Sequence, residues 1–146
     1  MKNIYTSLVA MAITLTLTLT SCTENNGDIG EWFGTWHIET VTVDGVPDAN
    51  YAGYNYLQFQ STVVALRFAD DVTHDEEAAY GTWSEGDGWL DITFPSGDVA
   101  YIDLLGMKLT TANHLTISDR TDGEMTLTLS ESADGAVRQY HIRKLH

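Results

Sequence analysis

Residues 33–45 read F-G-T-W-H-I-E-T-V-T-V-D-G. The stretch alternates in steps of two and stops at Asp44-Gly45, a turn dipeptide. Such alternation marks an extended strand, because successive side chains point to opposite faces. Trp36, Ile38, Thr40 and Thr42 are expected on one face, with His37, Glu39, Val41 and Val43 on the other. The strand is read as the first of a closed antiparallel barrel, with Trp36 plugging one end.

Further strands follow in order. One spans about residues 54–61, with Leu57 and Phe59 facing in and Tyr54, Tyr56, Gln58 and Gln60 facing out. The next, about 63–69, turns Val64, Leu66 and Phe68 inward and Arg67 outward. Strands at about 79–84 and 89–94 flank Glu85-Gly86-Asp87-Gly88, a strong hairpin signal. Residues 99–110 are also read as strand, on the β preference of Val99, Tyr101 and Ile102. Leu115 and Ile117 lie on the next strand, Met125, Leu127 and Leu129 on the one after. The last strand, about 137–145, sets Arg138, Tyr140, Ile142 and Lys144 against Gln139, His141 and Arg143. The connection after Gly45, V-P-D-A-N-Y-A-G, is longer than a hairpin loop, and beside a barrel mouth it is expected to act as a lid.

No segment after the first residues keeps a helical period. Eight or nine short strands separated by turn signals point to an all-β barrel or a β-sandwich. Sequential hairpins favour the up-and-down barrel, and closure also removes exposed edge strands.

The chain has 146 residues, enough for one ordinary domain, and a formal net charge of −14. Asp and Glu outnumber Lys and Arg 21 to 7, which excludes nucleic acid as a partner because phosphate binding needs a basic face. The one cysteine, Cys22, rules out an internal disulfide, so packing alone must hold the core.

Lys2 precedes an apolar run over residues 8–19, and Leu19-Thr20-Ser21-Cys22 follows. That order resembles the lipobox of bacterial lipoproteins. The resemblance implies a signal peptide over residues 1–21, cleavage before Cys22, and acylation (palmitate-type chains) of that thiol. It also implies a flexible spacer over residues 22–31 and a barrel domain over residues 32–146. Each buried methylene contributes about 0.8 kcal/mol, so two or three chains hold a protein stably to a membrane. The expected location is the cell envelope, held by lipid, at the outer membrane, with the leaflet open.

Gly34-Thr35-Trp36 is similar to the Gly-x-Trp signature of lipocalins and the wider calycin group. The chain from about residue 31 looks like the lipocalin-like lipoproteins of Bacteroidetes. Gly81-Thr82-Trp83 before a Gly-Asp hairpin, Leu115-Thr116-Ile117, and Tyr140 with Arg143 and Lys144 on the last strand complete the pattern. The resemblance implies a basic residue stacked across Trp36 at the closed end, Arg143 or Arg138, with Arg143 the expected partner. It also implies a small, largely apolar ligand inside the barrel. Trp36, Ile38, Tyr51, Tyr54, Leu57, Phe59, Leu66, Phe68, Trp83 and Tyr140 are the candidate interior or mouth residues. The same inventory suits a solid core. The alternative is then a packed barrel meeting a protein or glycan through its surface, inhibitor-type roles included.

Residues 70–77, D-D-V-T-H-D-E-E, offer oxygen ligands, but their spacing matches no calcium loop and reads as a solvated turn. The histidines lack zinc-site spacing. Asp91 and Asp103 are carboxylates that nothing in the sequence brackets with a base or nucleophile. No metal, no cofactor and no catalysis are expected.

Overall fold

The computed structural model describes residues 30–95 and 106–145. The chain divides into two units, Met1–Trp32 and Phe33–His146, and the second carries all the described strands. Cys22, the segment before it and Asp103 lie outside the described residues, as do residues 99–105 of the expected strand over 99–110.

The strands are β1 (Gly34–Val43), β2 (Val46–Pro47), β3 (Asn55–Gln60), β4 (Val63–Ala69), β5 (Glu76–Gly86), β6 (Trp89–Thr93), β7 (Ala112–Thr121), β8 (Glu124–Leu129) and β9 (Arg138–Leu145). Every pairing is antiparallel. From β3 onward each strand pairs with its successor, and β9 returns to pair with β1, which closes the barrel. The short β2 adds to the free edge of β1.

The two ends differ. At one end β3–β4, β5–β6 and β7–β8 are joined by turns of two residues, Ser61-Thr62, Asp87-Gly88 and Asp122-Gly123. Positive φ at Ser61 (49°), Gly88 (77°) and Gly123 (88°) fits the hairpin turns whose twist matches that of the strands. At the other end the connections are long: residues 44–54, 70–75, 94–111 and 130–137.

Alternation fills the interior. Val64, Leu66, Leu90, Ile92, Leu115, Met125, Leu127, Tyr140 and Ile142 are all buried. One parity differs from the sequence expectation. The β1–β9 register slips between Ile38 and Thr40, a β-bulge, so Thr40 is exposed and Val41 is buried. The extra residue turns the following side chains to the opposite face. The expected strand over 99–110 is absent where it is described, since residues 106–110 form a turn and an irregular run. Gly106 (φ 77°) and Lys108 (φ 55°) take left-handed conformations incompatible with an extended chain.

The interior at the loop end, a candidate binding site

Nine described residues border an internal space: Ile38, Leu57, Leu66, Ile92, Leu115, Leu127 and Tyr140 from the strands, and Met107 and Leu109 from the β6–β7 connection. The void measures about 10 Å³. That is room for roughly one water, against roughly 300–1,000 Å³ for an ordinary ligand site. The space bordered by these nine described residues is therefore nearly filled, and two of the side chains that fill it come from a loop. Met107 and Leu109 are buried, at 1% and 4% exposure, although neither lies on a strand.

Polar contacts hold this inserted segment. The Tyr140 hydroxyl donates to the Met107 carbonyl at 2.6 Å. The Ala133 amide donates to the Lys108 carbonyl at 2.8 Å. Where the segment rejoins β7, buried Asn113 donates to the carbonyls of Ile92 and Thr110 and accepts from the Thr110 amide at 2.7 Å. Burial pushes the Tyr140 phenol up from its ordinary value, with Arg138 opposing the shift.

Arg138 lies on the inward face of β9, two residues before Tyr140, with its side chain 7% exposed. One terminal nitrogen donates to Asp134 at 2.6 Å. Its buried Nε has no partner among the described residues. Asp134 also accepts from the Ser132 hydroxyl at 2.6 Å. The Ser132 hydroxyl, then Arg138, hold the Asp134 carboxyl below the usual carboxylate range.

Nine of the ten expected ligand residues fall into three groups. Ile38, Leu57, Leu66 and Tyr140 line the void. Trp36, Phe59 and Trp83 belong to the tight-turn end instead: Gly34 pairs with Phe59, and Phe59 meets Trp83 edge-on with ring centroids 5.1 Å apart. They form the plug of that end. Phe68 and Tyr54 sit edge to face at the loop end, 6.0 Å apart.

The residue 44–54 connection is not the free lid expected of it. The Tyr51 hydroxyl donates to the Ile38 carbonyl, His37 Nε2 bonds the Gly53 carbonyl at 2.7 Å, and the Asp48 amide donates to Val41 at 2.9 Å. These bonds strap the connection along β1 beyond His37, where pairing with β3 stops. Burial raises the Tyr51 phenol above its ordinary value.

The closed-end pair needs correction. Lys144, not Arg143, reaches over Trp36, with Nζ 5.6 Å from the ring centroid. Register decides this. Trp36 faces Lys144 across β1–β9, whereas Arg143 faces His37 on the outside. There Arg143 bridges Glu39 at 3.2 Å and Glu124 at 2.9 Å.

The outer wall holds an arrangement that sequence reading missed. Asp91 and His114 are cross-strand partners, and His114 Nδ1 lies 2.5 Å from Asp91 Oδ1. His114 also borders an outer groove of about 520 Å³ with Thr116, Ser130, Glu131 and Ser132.

The barrel resembles two solved structures. A lipocalin-like protein from Bacteroides uniformis ATCC 8492 superposes with a TM-score of 0.60 at 16% identity, over 80% of this chain and 100% of that one. The fold is lipocalin-like. An uncharacterized protein from Bacteroides eggerthii DSM 20697 superposes with a TM-score of 0.58 at 20% identity, over 78% of this chain and 99% of that one. No family model matches the sequence, and no curated protein matches it. The lipocalin-like barrel thus rests on closed antiparallel topology, a Trp-plugged tight end and a loop end with longer connections.

Proposed function

We propose that this lipocalin-like barrel is a lipid-anchored binding protein of the cell envelope, without catalysis, tethered through Cys22. In this reading it takes a small, largely apolar ligand at the loop end of its interior. One observation carries the proposal. The loop end of the core is filled by Met107 and Leu109, which no strand supplies, inside a wall that is otherwise almost wholly apolar. A side chain that fills a barrel from a connection can leave without breaking a strand ladder. Lys108 adds to this, since its left-handed φ of 55° costs an L-residue about 1–2 kcal/mol in the inserted conformation. The ligand site is then a minor conformation that ligand makes dominant.

Native mass spectrometry of the protein purified from its own host tests this. A reproducible added mass, lost on denaturation, supports the carrier. The lipid on Cys22 is distinguished because it survives denaturation.

A second reading has its own observation. The outer groove beside His114 is about 520 Å³, whereas the internal void is about 10 Å³. A packed barrel meeting a protein or glycan on its outer wall fits those sizes. A bare mass in the same experiment shifts the account to this reading.

A further inference from the structure

Trp89, Asp91, His114 and Thr116 form one surface on the outside of β6 and β7. Asp91 pairs with His114 and Trp89 with Thr116, so the four side chains share a face, opposite the buried Leu90 and Leu115. Both rings are fixed in place. A Cβ on Gly86, which pairs with Trp89 from β5, would lie 2.3 Å from the indole, so the ring rests against the glycine backbone. The Trp89 and His114 ring centroids are 5.9 Å apart, with the planes tilted by 32°. An ionised carboxylate only accepts, so His114 Nδ1 donates to Asp91 across 2.5 Å and Nε2 of the neutral imidazole is an acceptor. On the β8 side of His114 runs the groove of about 520 Å³, within the range of roughly 300–1,000 Å³ for ligand sites. Thr116 and Ser130 give it hydroxyls. Among the described residues that line it, Glu131 is the one carboxylate and none is lysine or arginine.

This inventory selects a ligand. An anion finds no counter-charge in the groove. A cation finds a single lining carboxylate, since Asp91 is already bonded to His114. A polyol finds a partner for each of its features. Its hydroxyls donate to Glu131 and to His114 Nε2 and accept from Thr116 and Ser130. Its C–H face packs on the Trp89 indole, a large apolar surface with few rotamers to freeze. Rings held before the ligand arrives lower the ordering cost of binding. We infer that the outer groove binds a neutral carbohydrate chain, with Trp89 as the stacking platform and His114 as the central acceptor. The inference rests on the outer-wall reading above and names its ligand class.

The test follows the Trp89 indole N–H by NMR in the purified protein, assigned from its loss in Trp89→Phe. Neutral hexasaccharides of glucose, mannose, galactose, xylose or N-acetylglucosamine are titrated in turn, with spermine as the cationic probe. At least one hexasaccharide is expected to shift this signal saturably, with an affinity that added salt leaves unchanged. His114→Ala is expected to weaken that binding about three- to tenfold, by loss of one hydrogen bond. Trp89→Ala, followed by calorimetry, is expected to weaken it about tenfold. Should Trp89→Ala not fold, His114→Ala decides, since that side chain is 63% exposed and its loss leaves the core intact. Hexasaccharide binding that neither variant weakens would overturn the site. Binding of spermine alone, weakened by salt, would overturn the ligand class. No binding of any probe would overturn the inference, whereas the outer-wall reading itself falls only if native mass spectrometry finds an occupied interior.

Discussion

Met107→Ala should do two linked things. Met107 is 1% exposed and borders a void of about 10 Å³, so truncation removes buried contacts and enlarges an existing gap. Core Met→Ala changes cost about 2–5 kcal/mol, the lower values belonging to sites that collapse. A loop residue can relax more than one locked in a ladder, which places the cost at about 2–3 kcal/mol. If an incoming ligand must expel the Met107 side chain, the native protein loses that same packing on binding. The variant does not, so its affinity for an apolar ligand should rise by about the same free energy, roughly 30–150-fold at 1.4 kcal/mol per decade. Urea denaturation read by tryptophan fluorescence gives the first quantity, and decanoate titration of both proteins gives the second. A large loss of stability with unchanged affinity would refute the exchange, because Met107 would then be core and nothing more. A loss below about 0.5 kcal/mol would refute the packing itself, since only exposed sites behave so.

Four other outcomes follow from the geometry. Gly81→Ala should destabilise by about 1–3 kcal/mol in urea, because a Cβ there would lie 2.4 Å from the Thr93 carbonyl oxygen, a backbone atom that cannot step aside. Lys144→Ala should cost about 0.5–1 kcal/mol and alter Trp36 emission, whereas Arg143→Ala, which removes only exposed ion pairs, should leave that emission alone. Asp134 has a lowered folded pKa, so its contribution is complete above the ordinary carboxylate value of about 4 and fades as pH falls through the folded value; Asp134→Asn should flatten the stability profile below about pH 4. Tyr51 and Tyr140 have raised values, so their contribution is present below about pH 10 and is lost as pH rises beyond it; Tyr140→Phe should lessen that alkaline loss, measured by thermal unfolding.

Much of the barrel was legible because alternation encodes it directly. β1 was read as residues 34–43 and spans Gly34–Val43, and the hairpin at Asp87-Gly88 announced itself through turn residues. The errors have identifiable physical causes. Thr40 and Thr42 were placed inside because period two carries no sign of a bulge, and the slip after Ile38 belongs to pairing with β9, more than ninety residues away. Arg143, with Arg138 as its alternative, was expected over Trp36, although the alternation on the last strand already set Lys144 on the face of Ile142. The register Trp36–Lys144 settles that choice, and register is a property of two strands together.

The site was harder to read for the same reason. Leu57 and Leu66 could be named as interior residues, yet nothing local distinguishes them from Phe59, which plugs the opposite end. Met107 and Leu109 fell within a strand read over 99–110 on the β preference of Val99, Tyr101 and Ile102, and the irregular backbone of 106–110 with the positive φ of Lys108 shows that they enter the barrel from a loop. Asp91 had no visible partner because His114 meets it across β6–β7, a pairing that required the strand order around residues 99–114.

The central claim is that the inserted loop and the ligand compete for one space. The most direct measurement is the Met107 methyl resonance, followed by NMR during titration with decanoate. Exchange requires that the methyl leave its buried position for solvent in proportion to ligand bound, while Leu66 and Leu127 gain contacts from the alkyl chain. A Met107 methyl that stays buried while decanoate binds would contradict the account.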